Sequence, residues 1–463
     1  MVRIATDRVL AAFRRAATSS IAYRQLLQES TVSVDSITDL AAFTARCPVL
    51  TKENTFGRFA LPDLIAPGVF GEITEVLTSS GHSGRFSFGV ITRGQLLAAG
   101  AFVDDAMDAA FAVKSRRTLA INCLPMGVNV PSERMTVARV SVRPDMAIGL
   151  VQNFGSYYDQ VLLISDPLFL PHLLAHAEAE GVDWPRHHVK VVVGEEFFGE
   201  TFRQHVGGRL GYTPRDLDDG VIISSMGVGE LGLHLFYETP FTIAVRRYAA
   251  THREFAATLF GDIAAAGPLP MILAYDPERL FVEIDRPDRS GFGTLMISIL
   301  DLEAPIPLLR YQSGDLAAFF NPDHLTTFAS RVGSSPAGVP QQLIALRGRR
   351  DDVMPGGWHV GVYREALFSD DAIASQVTGA LRAETGARGV TLHVQLSAGA
   401  PVSSSLVSGI LSALAPEHRP AHVRVWEYER FPFGMRLDYE RKFRYYEPAV
   451  ARHGGTSAEG MKV

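Results

Sequence analysis

Residues 160–193 read QVLLISDPLFLPHLLAHAEAEGVDWPRHHVKVVV, and this stretch decides the class of fold. Two runs rich in branched aliphatic residues, Gln160–Ser165 and His188–Val193, flank a segment with helical character at Pro171–Ala179. A strand, a helix and a second strand in this order predict two parallel strands with the helix packed on one face of their sheet. The chain is therefore predicted to be an α/β protein.

The same alternation extends along most of the chain. Further strand-like runs at Glu72–Thr78, Thr118–Cys123 and Val221–Ser224 are separated by helical stretches, which favours largely parallel sheets covered on both faces. Hairpin-like runs after residue 270 predict a smaller β-subdomain, and a helix is predicted over Arg364–Leu381. The expected organisation is a large core domain of packed, mostly parallel sheets over residues 1–350, a small mobile α+β lid over 351–447 and a flexible tail over 448–463.

Composition excludes several classes of function. Apolar residues make up 47% of the 463 residues and the net charge is −6, which is an ordinary globular composition with no basic block to follow a nucleic-acid backbone. The longest apolar stretch, Val161–Leu174, is interrupted by Asp166 and is shorter than the roughly 20 residues that cross a membrane. Two cysteines fit a reducing compartment, so a cytoplasmic enzyme without nucleic-acid or membrane partners is expected.

Five short stretches carry residues that suit nucleotide chemistry. They are LTSSGHSG (77–84), SSMGVGE (224–230), PLLRYQSGDL (307–316), ALRGRRDDVM (345–354) and MRLDYERKFRYY (435–446). Small and hydroxylated residues after a strand can surround phosphates, although the first stretch lacks the lysine of a P-loop. Taken singly, the five stretches also fit a surface turn, a solvated glutamate, a helix-capping aspartate, a charged linker and a solvated lysine.

The last four stretches contribute charged side chains, each suited to a chemical role. A carboxylate such as Glu230 can hold Mg²⁺ against a nucleotide, and Asp315 can accept hydrogen bonds from ribose hydroxyls. Arg349 can reach phosphate or ribose oxygens, and Asp351 occupies a position suited to a hinge. Lys442 is one of only five lysines and can place a point charge against a phosphate.

In order and spacing these stretches resemble the adenylate-forming superfamily, which includes acyl-CoA synthetases, firefly-type luciferases and peptide-synthetase adenylation domains. The likeness runs from about Pro48 to Tyr446. PVLTKEN (48–54) and IPLLRYQSGDL (306–316) are most similar to the phenylacetate–CoA ligase branch. The Ser-Ser-Gly form of the first loop also resembles the coronafacate ligases, which are amide bond synthetases.

The resemblance implies an ATP-dependent, AMP-forming ligase that makes an acyl-AMP from a carboxylic acid, releases pyrophosphate and transfers the acyl group to an amine, in particular that of an amino acid. Transfer to coenzyme A is the first alternative. A non-catalytic nucleotide sensor is the second, because Met226, Gly229 and the last stretch depart from the family pattern.

The resemblance also assigns site residues. Catalytic roles fall to Lys442, Glu230 and Arg349, with Glu230 as the Mg²⁺ ligand and Asp351 as the hinge. ATP would be bound by Thr78, Ser79, Ser80, Gly81, His82, Ser83, Gly84, Ser225, Met226, Gly227, Asp315 and Arg349. The acid pocket would be lined by Phe154, Gly155, Tyr157, Gly194, Glu195, Ser224, Gly227 and His234. Its aromatic side chains suit an aromatic or cyclic acid.

Overall fold

A computed structural model describes residues 2–78, 87–125, 127–265, 267–329, 339–434 and 443–448. The helices are α1 (Val2–Ser19), α2 (Ile21–Glu29), α3 (Leu40–Arg46), α4 (Leu61–Leu64), α5 (Arg93–Phe111), α6 (Pro144–Phe154), α7 (Phe169–Ala179), α8 (Glu200–Arg209), α9 (Pro214–Asp218), α10 (Pro240–Thr251), α11 (Arg253–Phe260), α12 (Pro322–Ala329), α13 (Gly361–Phe368), α14 (Asp371–Ala374) and α15 (Ser404–Ala413). In the described ranges, no helix combines the length and the apolar character needed to cross a membrane.

The strands are β1 (Ile73–Thr78), β2 (Phe88–Thr92), β3 (Thr118–Asn122), β4 (Thr136–Arg139), β5 (Gln160–Ser165), β6 (Lys190–Val193), β7 (Ile222–Val228), β8 (Gly232–Tyr237), β9 (Met271–Ala274), β10 (Leu280–Asp285), β11 (Gly293–Ile299), β12 (Tyr311–Phe320), β13 (Leu343–Arg349), β14 (Val377–Gly386), β15 (Gly389–Leu396), β16 (His422–Trp426) and β17 (Tyr446–Glu447). β1 and β2 form a separate antiparallel pair.

Eleven strands form one mixed sheet, in the order β10-β11-β12-β13-β9-β8-β7-β6-β5-β3-β4. Strands β4, β3, β5, β6 and β7 are mutually parallel, and every pairing from β7 to β10 is antiparallel. The predicted α/β class is confirmed, but the parallel and antiparallel parts are one continuous sheet. The reason lies in β7, which runs past Ser224 to Val228 and pairs Ser225 with Tyr237 of β8.

Two central strands of the parallel half of the sheet, β3 and β5, are buried along their whole length. The reason is that helices cover both faces of a parallel sheet and leave no strand face to water. Continuous aliphatic runs are the consequence, and they explain why these strands were predictable from sequence. The carboxyl ends of β5, β6 and β7 meet at one edge, where ligands usually bind to sheets of this kind.

The C-terminal part of the chain forms a four-stranded sheet in the order β16-β15-β14-β17. The predicted helix over Arg364–Leu381 is wrong beyond residue 374: α13 ends at Phe368, the short α14 follows, and β14 begins at Val377. Spacing of apolar residues in this segment is compatible with a helix, but pairing with β15 decides the outcome. Phe368 packs edge-on against Phe202 of α8 at 5.2 Å, so the C-terminal sheet and the core share one hydrophobic interior.

Candidate functional site

Two cavities open at the carboxyl ends of the parallel strands. The large cavity has a volume of about 530 Å³, and the small cavity has a volume of about 100 Å³. Both are lined by Glu195, which follows β6, and by Ser225, Gly227 and Gly229 at the end of β7. A molecule that extends from one cavity into the other would therefore pass the end of β7.

The large cavity brings together nine of the predicted site residues, four of which are charged residues that come from distant motifs. Glu230 lies in the turn between β7 and β8, Asp315 in β12, Arg349 at the end of β13 and Asp351 just beyond it. The register of the sheet places Asp315 opposite Arg349. The interpretation of Asp315 as a helix cap is wrong, because this residue lies inside a strand. Segments as far as 119 residues apart in the sequence, as Glu230 and Arg349 are, thus meet because β7, β12 and β13 belong to the same sheet.

Glu230 is fixed by the side chain of Tyr311, whose hydroxyl donates a hydrogen bond to Oε1 of the carboxylate. Burial and the neighbouring Glu230 raise the pKa of Tyr311 above its ordinary value, so this phenol remains protonated and can donate. The backbone on both sides of Tyr311 is bound to Leu50, with Leu50 N–H donating to the carbonyl of Arg310 at 3.0 Å and Gln312 N–H donating to the carbonyl of Leu50 at 2.9 Å. The segment PVLTKEN thereby becomes part of the site, and Thr51, Lys52 and Glu53 line the large cavity.

A second group of charged residues in the large cavity joins the core to the C-terminal part of the chain. Glu196, in the loop after β6, accepts hydrogen bonds from the Tyr445 hydroxyl at 2.6 Å and from the Arg364 guanidinium at 3.4 Å. The same guanidinium lies 4.9 Å from the centre of the Tyr445 ring. We call Glu196, Arg364 and Tyr445 the seam cluster. It joins the loop after β6 to α13 and to the residue just before β17.

Neighbouring carboxylates shift the pKa values of the charged groups next to the seam cluster. Burial alone would lower the pKa of Arg349, but the carboxylates of Asp315 and Asp352, together with those in the loop after β6, raise it above the ordinary value. Burial, followed by the charge of Glu196, raises the pKa of Asp352 to about 7 against the opposing effect of two arginines. Arg349 is thus a permanent cation in an acidic environment.

The charged residues lining the large cavity suit a bound cation in addition to an anion. In the described ranges the lining contains eight carboxylates and four cationic side chains. An anion in this cavity would be repelled by this excess of negative charge unless a cation accompanied it. Among the described residues no cluster of three or more metal-ligating side chains occurs.

The small cavity has aliphatic walls and a few polar groups. Its lining includes Val103, Leu124, Val128, Val130, Ile164 and Val192. Gly194 and His234, predicted for the acid pocket, also line it, and so does Thr78, which was predicted to bind ATP. Gly227 lets the two strands of the hairpin approach, because a Cβ there would lie 2.9 Å from the carbonyl oxygen of Gly232. Burial, with a smaller contribution from Arg279, lowers the pKa of His234 to about 4, so its imidazole is neutral at pH 7.

Three residues predicted for the acid pocket lie elsewhere. Phe154 is 50% exposed and Tyr157 is 69% exposed, and neither lines either cavity within the described chain. Gly155 packs against His187 instead. All three precede β5 and therefore lie at the amino end of the parallel strands, opposite the cavities. The prediction of an aromatic or cyclic acid loses its basis with them.

The remaining predicted residues divide into two groups. Ser224, Ser225 and Met226 line the large cavity with the end of β7. Ser79, Ser80, Gly81, His82, Ser83, Gly84 and Lys442 lie outside the described residues. The roles of all these residues stay predictions.

Sequence reasoning missed several residues that line the large cavity. Lys52 offered a signal, since it is one of five lysines and lies in a motif that carried the family resemblance. Arg364 and Tyr445 gave none, because only the packing of the C-terminal sheet against the core brings them to Glu196.

Comparison with solved structures identifies the fold. A structure of 2-hydroxyisobutyryl-CoA ligase in the postadenylation state, in complex with 2-HIB-AMP, matches 96% of this chain and 89% of its own length with a TM-score of 0.67 and 15% identity. The same ligase in the thioesterification state, with 2-HIB-AMP and CoA, matches with a TM-score of 0.56 and 16% identity. The chain therefore has the fold of an adenylate-forming ligase with a smaller C-terminal domain.

Other comparisons add no finer assignment. Coronafacic acid ligase from Pectobacterium brasiliense matches 76% of this chain and 63% of its own length, with a TM-score of 0.45 and 13% identity, which does not distinguish a branch of the superfamily. No protein-family model matches the chain, and no curated protein matches it.

Proposed function

We propose that this protein is an ATP-dependent ligase that activates a carboxylic acid as an acyl-AMP and then transfers the acyl group to a nucleophile. One oxygen of the acid would attack the α-phosphorus of ATP, and the bond from that phosphorus to the bridging oxygen would break as pyrophosphate leaves. Activation is needed because a carboxylate is anionic and has no good leaving group, whereas AMP leaves readily.

One observation carries this proposal: the end of β7 lines both a large polar cavity and a small aliphatic cavity. The large cavity has a volume within the range of about 300–1,000 Å³ that is usual for small-molecule sites, and it gathers Glu230, Asp315 and Arg349. A nucleotide in the large cavity and an acyl chain in the small one would meet at Gly227 and Gly229. The acid and the α-phosphate would be adjacent there, as the reaction requires.

Individual roles follow from chemistry and position. Glu230, held by Tyr311, would hold Mg²⁺, which neutralises phosphate charge when bound. Asp315 would accept hydrogen bonds from the ribose, and Arg349, kept cationic by its surroundings, would bind ribose or phosphate oxygens. Ser79 to Gly84 would bind the outer phosphates, whereas Thr78, predicted together with them, lines the small cavity. Lys442 would stabilise the charge that develops on the α-phosphate.

The C-terminal part is proposed to act as a lid over residues 351–447 that turns about Asp351, with 1–350 as the core domain and 448–463 as a tail. The higher TM-score to the postadenylation state than to the thioesterification state supports an arrangement suited to acyl-AMP formation. Turning would break the seam cluster and admit the second substrate to the acyl-AMP.

The acceptor is proposed to be the amine of an amino acid. Supporting this, several arginines of the C-terminal part are already engaged: Arg364 with Glu196, Arg382 with Glu447 and Arg430 with Glu427. Engaged arginines are less available to bind the 3′-phosphate of coenzyme A. Coenzyme A is the second candidate, favoured by the similarity to a CoA ligase over 89% of that enzyme's length.

Acid-dependent exchange of pyrophosphate into ATP tests the activation step. A panel of carboxylic acids with Mg²⁺ should give exchange for at least one acid, and mass spectrometry with amino acids or coenzyme A present should identify an amide or a thioester. Nucleotide binding without exchange for any acid would contradict the proposal and favour the sensor alternative.

Lys442→Ala should abolish pyrophosphate exchange while sparing transfer from a supplied acyl-AMP, because the lysine is needed only while charge develops on the phosphate. Lys114→Ala is the matched control, since Lys114 is paired with Asp105 on the surface at 2.6 Å and should leave both steps unchanged. Equal loss of both steps in the Lys442 variant would show that the lysine is assigned to the wrong role.

A further inference from the structure

The small cavity contains a buried polar atom that nothing in the described part of the chain satisfies. His234 is 6% exposed and lines this cavity, and its Nε2 has no hydrogen-bond partner among the described residues. Its Nδ1 lies 2.7 Å from the Oγ of Ser225, which lines the same cavity. A buried polar atom without a partner is costly, so a ligand that supplies the partner gains affinity.

The ring of His234 is held in one orientation. It stacks on Tyr237 with ring centres 4.8 Å apart and planes 9° from parallel, and Phe102 meets it edge-on at 5.6 Å. Its backbone has φ of +52°, a conformation that is unfavourable for a residue with a side chain and persists only where the surroundings fix it. An aromatic ring fixed in this way is a rigid polar contact in an aliphatic pocket.

The neutral imidazole carries one proton, and its location determines what Nε2 can bind. If the Ser225 hydroxyl donates to Nδ1, then Nε2 carries the proton and is a donor; in the other tautomer Nε2 is an acceptor. A hydroxyl group both donates and accepts, so it pairs with either tautomer. A ketone can only accept and an ammonium group can only donate, so each would pair with one tautomer alone.

We propose that the acid activated by this protein is a short aliphatic acid whose chain carries a hydroxyl group, and that His234 Nε2 recognises this hydroxyl. The inference rests on the proposed function. Size supports it, because a cavity of about 100 Å³ is smaller than the cavities of about 150 Å³ that hold benzene. By this comparison it holds fewer non-hydrogen atoms than the ring of benzene.

The experiment measures pyrophosphate exchange by the full chain with butyric acid and with 2-, 3- and 4-hydroxybutyric acids. These acids differ only in the presence and position of one hydroxyl. At least one hydroxy acid should exceed butyric acid in kcat/KM by about tenfold or more, the range expected when a buried polar group is left unpaired by the poorer substrate.

Variants of His234 test whether the preference for a hydroxy acid comes from the imidazole ring. His234→Phe keeps an aromatic ring against Tyr237 but removes both nitrogens, so the ratio of kcat/KM between hydroxy and plain acid should fall to about one. His234→Gln keeps a group that donates and accepts, so part of the preference should remain, and it serves if the phenylalanine variant fails to fold in a thermal unfolding test. Lys114→Ala is the control: Lys114 lies outside both cavity linings, in a surface pair with Asp105, and its variant should keep the ratio.

Each failure has a separate meaning. Equal kcat/KM for all four acids in the parent protein would overturn this inference while leaving acid activation in place. A preference that survives in His234→Phe would overturn the assignment to His234. Absence of exchange with any carboxylic acid would overturn the proposed function itself.

Discussion

Two clusters of arginine and glutamate lie near the site and differ in how completely they are buried. The first, here called the β7 cluster, consists of Arg203, Glu200, Glu238 and Arg246. Arg203 and Glu238 have side chains that are 0% exposed, and Arg203 donates to both oxygens of Glu238 at 2.7 and 2.9 Å. The seam cluster instead lines an open cavity.

The two clusters differ in what they hold in place. Glu238 also accepts the backbone N–H of Ser224 at 2.8 Å, so the β7 cluster fixes the strand that divides the two cavities. The seam cluster lines the large cavity where the C-terminal part of the chain meets the core, next to the hydrophobic interior that the two parts share. Similar residue types therefore support a strand in one place and join two parts of the chain beside a cavity in the other.

The largest expected change in the free energy of unfolding comes from a substitution in the β7 cluster. Glu238→Ala would leave Arg203 partly uncompensated inside the protein and remove the partner of Ser224 N–H. Breaking a buried pair in this way costs about 3–5 kcal/mol, measurable as a loss of the free energy of unfolding in urea. Glu178→Ala is the control, because Glu178 pairs with Arg209 near the surface and should cost less than about 1 kcal/mol. A similar small loss in both variants would show that the β7 cluster is not a structural support.

Sequence alone predicted four of the five parallel strands, namely β3, β5, β6 and β7, but not β4. Strand β5 was predicted with its observed bounds, because a strand buried on both faces must be aliphatic throughout. The segment after Arg364 was predicted as a helix, since its apolar spacing suits a helix and only pairing with β15 makes it a strand. Glu230, Asp315 and Arg349 could be found as local motifs. Tyr311 beneath Glu230, and the meeting of Tyr445 with Glu196, depend on contacts between distant segments that no local pattern encodes.

An intermediate effect on the free energy of unfolding is expected from Asp166, which has a buried carboxyl group directly after β5. Its Oδ1 accepts the N–H groups of Leu168 and Phe169 at the start of α7, at 2.8 and 2.9 Å. Burial, with smaller contributions from Glu196 and Glu195, raises the pKa of Asp166 to about 7. A folded-state pKa above the unfolded one means that the folded protein binds more protons between about pH 4 and pH 7. The stability that this group contributes is therefore complete below pH 4 and is lost as pH rises through 7.

Asp166→Asn should flatten this dependence, because the amide keeps the accepting oxygen and has no charge to bury. At pH 8 the variant should be more stable than the parent by a few kcal/mol, at about 1.4 kcal/mol for each unit of pKa, and the two should be nearly equal at pH 4. Urea unfolding at several pH values measures this. Asp166→Ala is the matched variant, since it also removes the charge but loses the helix cap, which costs about 0.5–2 kcal/mol at every pH. Parallel stability curves for the parent and the asparagine variant would contradict the assignment.

The smallest change in stability is expected at the seam cluster. This prediction bears most directly on the proposed movement of the C-terminal part. Tyr445→Phe removes the 2.6 Å hydrogen bond to Glu196 but keeps the ring under Arg364. Glu196 retains Arg364 and can recruit water from the cavity, so the closed arrangement should lose only about 1 kcal/mol, equivalent to about a fivefold shift in the population of closed molecules. If closure is needed for activation, pyrophosphate exchange should fall by at most about fivefold while transfer from a supplied acyl-AMP is retained or improves. A stability loss as large as that of Glu238→Ala would instead mean that the seam is built as a permanent support, and the lid would then have to separate from the core at some other contact.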